Sequence, residues 1–307
     1  MTTTTAAPVV AHTRAELEAA REGLASRDVA VVMTMGALHE GHARLIRAAR
    51  QRHAHVVVTI FLNPLQFGPK EDLSRYPRTF EDDMAICTAA GVDVVFAPTP
   101  DVVYPDGDPG VRVSAGPLGE VLEGASRPGH FDGVLTVVGK LLHLTAARSA
   151  YFGQKDAQQL LLIRRMVRDL DFPVEVVSVP TVREEDGLAM SSRNTYLTET
   201  DREVALCLSR ALRAGAEAAV FGPSAVRRAA REVLVEEPLA LVDYLVLVHP
   251  DTLADVPEWY RGQALLAVAA RIGTTRLIDN TPLVVGPGGG ALEVFSDVPH
   301  APGGGAR

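Results

Sequence analysis

A chain of 307 residues that is 47% hydrophobic, 22% charged and 5% aromatic has the composition of a soluble globular α/β protein and the length for two domains. Its formal net charge of −8 excludes the broadly basic surface that non-specific nucleic-acid binding needs. The Thr-rich start carries no secretory pattern and the apolar runs at 56–62 and 264–270 are too short for a bilayer, so neither a membrane span nor a signal peptide is predicted.

Residues 1–11 read as a loose leader, and Thr13 is placed to cap a helix over 14–25. The apolar run 29–32 reads as a buried strand, and 43–50 as the start of a helix. Between them lies Met33-Thr34-Met35-Gly36-Ala37-Leu38-His39-Glu40-Gly41-His42, so two histidines sit where a strand turns into a helix N-terminus. Such a terminus offers unpaired N–H groups and the positive end of the helix dipole, a setting for phosphate. Gly36 and Gly41 admit a ligand close to the backbone, and His39 and His42, three apart, can donate to one phosphate.

A second strand, 56–62, stops at Asn63-Pro64 and is followed by Gln66-Phe67-Gly68-Pro69. Residues 80–90 form a helix closed by Gly91, and 92–97 a third strand. Alternation of this kind predicts a parallel sheet with right-handed crossovers and a ligand crevice beyond the strands' carboxyl ends. Beyond a Pro/Gly-rich loop at 98–110, Arg127-Pro128-Gly129-His130-Phe131 leads into an apolar helix over 134–144. A strand at 150–152 runs into Gly153-Gln154-Lys155-Asp156 and a helix to about 170; 174–179 is the next strand, and 180–194 is irregular. Thr200-Asp201-Arg202-Glu203 reads as a capping box opening a long helix, Ser224 as the cap of another, and 242–248 and 265–270 as strands of a smaller α/β domain. Cys87 and Cys207, far apart in helical patterns, read as two buried thiols, which fits a reducing cytoplasm. The expected organisation is therefore a Rossmann-like parallel-sheet domain over 1–185, a smaller C-terminal domain over 186–285 and a flexible Gly/Pro-rich tail over 286–307.

Several side chains then stand out by chemistry. Lys155 can neutralise phosphate and Asp156 accept from a ribose hydroxyl; equally, the pair can be a helix-capping Asp beside a solvated Lys. Met190-Ser191-Ser192-Arg193 offers two hydroxyls and a guanidinium on a loop, either a phosphate clamp or an ordinary Ser-rich loop. Gln66 and Gln159 are neutral amides that suit a hydroxylated carboxylic acid, though exposed glutamines are common. Asp82 and Asp83 either hold Mg²⁺ through water or complement a helix dipole. Arg127 and His130 either touch phosphate, stabilise a flap or satisfy a loop.

Taken in order, Thr34-Met35-Gly36-Ala37-Leu38-His39-Glu40-Gly41-His42, Phe61-Leu62-Asn63-Pro64-Leu65-Gln66-Phe67, Tyr76-Pro77-Arg78-Thr79, Phe152-Gly153-Gln154-Lys155-Asp156-Ala157-Gln158-Gln159 and Met190-Ser191-Ser192-Arg193-Asn194 closely resemble the pantothenate synthetase family over residues 29–280. The resemblance implies a cytidylyltransferase-like nucleotide-binding fold. It also implies a reaction in which ATP, pantoate and β-alanine give pantothenate, AMP and pyrophosphate through pantoyl-adenylate, with Mg²⁺ as cofactor and a homodimer as the working form. It places Met35, Gly36, Ala37, Leu38, His39, Glu40, Gly41, His42, Gly153, Gln154, Lys155, Asp156, Val182, Met190, Ser191, Ser192 and Arg193 at ATP. It assigns His42 as proton donor beside His39, Lys155 and Arg193, Gln66 and Gln159 to pantoate, and Gln66 also to β-alanine. The sequence departs from the family at Met33, usually proline, at Gln154, usually glutamate, and at Ile86, where some relatives carry glutamine near the acidic pair. Two other readings share the histidine signature: a nucleotidyltransferase acting on a phosphate acceptor, and a non-catalytic nucleotide sensor.

Overall fold

Short valine-rich runs bounded by turns make strands buried on both faces, as a parallel sheet covered by helices requires. The structure, a computed structural model, describes residues 6–293 apart from Lys70 and Asp72. Its first half alternates β1 (Val9–Ala11), α1 (Arg14–Glu22), β2 (Val29–Thr34), α2 (Glu40–Arg52), β3 (His55–Ile60), α3 (Phe80–Ala89) and β4 (Val94–Phe96). Two single-turn helices, α4 (Pro100–Val103) and α5 (Glu123–Ser126), precede α6 (His130–Thr145), β5 (Ser149–Gly153), α7 (Ala157–Asp169) and β6 (Glu175–Val179). The strands make one parallel six-stranded sheet in the order β1-β4-β3-β2-β5-β6.

Val31 pairs with Val57 of β3 on one side and Ala150 of β5 on the other. The chain moves outward from β2 through β3 to β4, then crosses back to lay β5 against the opposite flank of β2. The direction of winding thus reverses between β2 and β5, where an α/β sheet leaves a crevice at its carboxyl end. Alternate side chains feed two cores: Val31, Val57 and Phe96 meet α6 on one face, while Val32, Val58 and Tyr151 meet Ile46 of α2 on the other.

The second half comprises α8 (Glu199–Glu217), α9 (Pro223–Val235), β7 (Ala240–Val248), β8 (Gly262–Ile272), β9 (Thr275–Val285) and β10 (Gly290–Ala291). Its four-stranded sheet, β10-β9-β8-β7, is antiparallel and shares a separate core with α8 and α9. A smaller cluster containing Leu161 of α7, Val248 and Leu265 joins the two sheets. Beside it Arg276 grips Glu123 through two N–H groups at 2.6 and 2.8 Å, and the Tyr244 hydroxyl donates to the same carboxylate at 2.9 Å.

Several expectations need correction. The leader predicted over 1–11 contains β1, whose Val9 pairs with Val94; a three-residue strand is too short to show its own periodicity. The long helix begins two residues earlier than predicted: Thr198 accepts from the Asp201 N–H at 3.1 Å while Asp201 accepts from Thr198 N–H at 3.4 Å. Gly222, not Ser224, precedes the next helix, and the Ser224 hydroxyl is spent on Glu258. Residues 275–285, unassigned from the sequence, form β9. Of the tail expected over 286–307, Gly290–Ala291 pairs with β9, and 294–307 lie outside the described residues. Both cysteines are buried and free, and among the described residues no helix is long and apolar enough to cross a membrane.

Candidate active site

At the end of β2, Thr34 closes the strand by donating its hydroxyl to the Thr59 carbonyl at 2.8 Å and accepting the Gly36 N–H at 3.2 Å. Ala37 follows with φ +51°, a left-handed conformation that costs a non-glycine residue energy and needs external support. Asp83 of α3 supplies it. Its carboxylate accepts the Ala37 N–H at 3.1 Å, the Leu38 N–H at 2.7 Å and the Thr79 hydroxyl at 3.1 Å, and the side chain is 1% exposed.

The imidazoles then cap α2 as serine or threonine would. His39 Nδ1 accepts the Gly41 N–H at 3.1 Å, and His42 Nδ1 accepts the His39 N–H at 3.3 Å. Those acceptor bonds assign the ring proton of both histidines to Nε2. The ring centres lie 4.2 Å apart. Burial, reinforced by the charge of Lys155, holds His39 down to about 4; burial, His39 and Lys155 hold His42 down to about 3. At neutral pH both are therefore neutral Nε2–H donors. A Cβ on Gly41 would stand 2.8 Å from His39 Cε1, so this ring position requires glycine.

Gln66 is placed from the other side. Asn63, 1% exposed, accepts from the Leu65 N–H at 3.3 Å and the Tyr104 hydroxyl at 2.9 Å, and donates to Gln66 Oε1 at 3.2 Å and the Gly133 carbonyl at 3.1 Å. A Cβ on Gly133 would fall 2.3 Å from the Leu65 carbonyl oxygen, so only glycine lets α6 approach this turn. Gln66 Nε2 in turn donates to Met35 Sδ at 2.9 Å. Arg127 and His130 line the cavity and also hold the loop. His130 Nδ1 donates to the Gln66 carbonyl at 2.8 Å, Arg127 Nη1 donates to His130 Nε2 at 2.9 Å, and Arg127 grips Glu71 at 3.0 and 2.6 Å. Burial and Arg127 depress His130 to about 4, which leaves it neutral.

The second strand-to-helix turn, Gln154–Asp156, follows β5, with Lys155 Nζ 3.9 Å from the Asp156 carboxylate. Residues 180–194, expected to be irregular, form a hairpin-like strap. Met190 N–H donates to the Val182 carbonyl at 2.9 Å, Arg183 bridges to Ala189, and Gly187 turns the chain at φ +96°. The Ser191 hydroxyl oxygen accepts the Arg193 N–H at 3.2 Å, and the Ser192 hydroxyl donates to the Ala37 carbonyl at 3.1 Å, joining strap to histidine turn.

These segments surround a cavity of about 250 Å³. Met35, His39, Gly41 and His42 line it from the first turn; Gly153, Lys155 and Asp156 from the second; Val182, Met190, Ser191, Ser192 and Arg193 from the strap; and Gln66 and Gln159 from the flank. The remaining expected residues lie off the cavity wall. Gly36 and Ala37 shape the turn, Leu38 enters the core beside Ile46, Glu40 pairs with Arg47, and Gln154 is buried at the seam with Nε2 3.5 Å from Asn280 Oδ1. Asp82 and Asp83 do not form a metal pair: Asp82 is exposed, whereas both oxygens of Asp83 are engaged by the histidine turn. Among the described residues no cluster of three or more His, Cys, Asp or Glu is arranged to hold a metal ion. The sequence placed the Asn63-Pro64 turn at the crevice but gave no role of their own to Thr34, Asn63, Tyr76 or the apolar wall of Val134, Val138 and Leu141. Asn63 had a signal in the Asn-Pro turn; α6 read simply as core.

Comparison with known proteins bears on this geometry. The family model described as pantoate-beta-alanine ligase matches residues 8–282. A pantothenate synthetase of Salinispora arenicola is 60% identical over 279 residues, covering 90% of this chain and 98% of that protein. One of Thermobifida fusca is 56% identical over 287 residues, covering 91% and 96%. The crystal structure of pantothenate synthetase from Thermus thermophilus superposes with a TM-score of 0.84 at 49% identity, covering 94% of this chain and 100% of that one. That of a Francisella tularensis pantoate-beta-alanine ligase, complexed with beta-gamma ATP and beta-alanine, gives 0.72 at 34% identity, covering 89% and 97%.

Proposed function

The chain belongs to the pantoate–β-alanine ligase family, and from that premise we propose that it condenses pantoate with β-alanine to pantothenate, using ATP and passing through pantoyl-adenylate. The observation that carries the reading is the convergence of two neutral imidazole donors, Lys155, Arg193 and two amide side chains on one cavity at the sheet's switch point. In the first step the pantoate carboxylate attacks the α-phosphorus and pyrophosphate leaves. No protein nucleophile is needed. Bringing two anions together is opposed by their charge, which Lys155 and Arg193 offset, while Nε2–H of His39 and His42 donates to phosphate oxygens as charge builds there. Held neutral by burial, the histidines are ready-made Nε2–H hydrogen-bond donors, and His42, the proton donor that the resemblance implies, serves on this reading by hydrogen bonding to phosphate rather than by releasing its proton.

Gln66 and Gln159 supply the polar contacts for the pantoate hydroxyls and carboxylate, with the apolar wall of α6 facing its methyl groups. The neutral amine of β-alanine, beside Gln66, then attacks the acyl carbon and AMP departs. The strap and the loop held by Arg127 exclude water from the mixed anhydride meanwhile. Magnesium, on this reading, would be supplied with the nucleotide, because the acidic pair does not fit it. A homodimer in the cytoplasm is the proposed working form, and sedimentation at a monomer's mass under assay conditions would refute it. The central experiment is mass detection of pantoyl-adenylate with ATP and pantoate present and β-alanine withheld. Its accumulation is expected; AMP formed without it, or only on a phosphate acceptor, would favour another nucleotidyltransferase, and ATP binding without turnover a sensor.

A further inference from the structure

The segments that carry Lys155 and Arg193 are far apart in the chain, yet both are held by neighbouring residues of β9. Asn280 Nδ2 donates to the Gln154 carbonyl at 3.1 Å and to the Lys155 carbonyl at 2.7 Å. Asp279 receives Arg183, at the root of the strap, through two N–H groups at 2.6 and 3.1 Å, and Arg183 also donates to the Gly187 carbonyl at 3.2 Å across the strap. The two β9 side chains are 3% and 4% exposed, and the Asn280 N–H donates back to Asp279 Oδ1 at 2.8 Å, so they form one unit. β9 also packs on both the Gln154–Asp156 turn and the Ser192–Tyr196 turn that follows the strap.

We infer that Asp279 and Asn280 are positioning residues for adenylation: the second sheet, through two adjacent side chains, sets the spacing between the lysine turn and the arginine strap. The physical reasons differ for the two. The Gln154–Asp156 turn precedes α7, so its carbonyls sit outside the regular helical ladder, and a buried amide with two N–H groups fixes them where water would let them wander. A fork between guanidinium and carboxylate fixes orientation as well as distance, so Asp279 dictates how the strap stands against β9. On this account the C-terminal half is part of the phosphate-binding machinery rather than a passive cover. The inference rests on the adenylation proposed above.

The test uses ATP–pyrophosphate exchange with pantoate, on full-length protein with the folded fraction measured by circular dichroism. Asn280→Asp keeps the size but sets a carboxylate against two carbonyls; kcat is expected to fall by about tenfold to a hundredfold through displacement of Lys155. Asp279→Asn is expected to raise the KM for ATP about fivefold or more, and the milder Arg183→Lys, which keeps the charge but loses the fork, to raise it less. In all three the KM for pantoate stays within about twofold, because Gln66 is held by Asn63 from the first sheet. A merely structural joint would lower only the folded fraction and leave kcat per folded molecule and every KM unchanged. That result, or folded variants with wild-type kcat and KM for ATP, overturns the inference. Wild-type protein that shows no exchange refutes the adenylation reading instead.

Discussion

The histidine rings are fixed by backbone N–H groups two and three residues away, at 3.1 and 3.3 Å. The strap facing them is fixed by Asp279, which reaches Arg183 across 96 residues, and by Arg202 of α8, which holds Glu184 and Asp186 at 2.6 Å each. The rings of one wall are thus oriented by neutral local bonds, on a turn that buried Asp83 holds, and the other wall by ion pairs that are partly open to water. Neutral backbone donors hardly respond to salt and need no distant partner, whereas half-exposed ion pairs weaken with ionic strength. The contrast fits the proposed reading, in which the rings are phosphate donors kept ready and the strap is a cover that yields to admit substrates.

The largest expected effect comes from breaking the rigid wall. His42→Ala is predicted to cut ATP–pyrophosphate exchange by roughly two to four orders of magnitude with the fold intact; near-normal exchange in a folded variant would sink the role given to this ring. Gly41→Ala attacks the same wall without removing a functional group. Its methyl would stand 2.8 Å from the His39 ring, and a loss on the order of tenfold to a hundredfold is expected, read as kcat at saturating substrates. Gln159→Leu should raise the KM for pantoate about tenfold while that for ATP hardly moves; equal rises in both would count against the amide's assignment. Least damaging should be Arg202→Ala, which loosens the strap at its outer edge: an increase of about two- to threefold in the KM for ATP, reproduced in wild type by raising salt to about 1 M.

Acid gives a further handle on the rigid wall. His39, His42 and His130 are all depressed below the ordinary histidine value of 6.5, so in mild acid the unfolded chain binds more protons than the native one. Stability from these groups is fully present above 6.5 and is lost as pH falls from there toward 4. Glu71 and Asp186, depressed below 4.5 and 3.8, add their own loss only in stronger acid. Thermal midpoints followed between about pH 6.5 and 4.5 should therefore decline in wild type and decline less in His39→Gln/His42→Gln; parallel slopes would contradict the burial of these rings.

The same contrast explains what could be read before the fold was seen. The histidine turn, the Asn63-Pro64 turn and the lysine turn are local strand-to-helix punctuation, and each stands where the parallel-sheet alternation put it. The strap read as irregular because its pairing is one short bridge and its anchors lie on β9 and α8. Asp83 looked like a dipole or metal carboxylate because nothing in its own helix reveals that Ala37 and Leu38 lie above it. Gln154 shares a motif with Lys155, but successive residues of a turn face different ways, and its amide was claimed by the seam. Long-range partners of polar groups were the illegible part.

The placement of β9 also bears on how the protein is made. Strands β2 and β5 emerge early from the ribosome and can pair as the first sheet condenses, but Asp279 and Asn280 follow only after α8, α9, β7 and β8. A half-synthesised chain would therefore own a histidine turn without a set lysine turn, and would be unable to spend nucleotide. If β9 sets the lysine turn as inferred, competence to react arrives late in translation, when the last long strand docks.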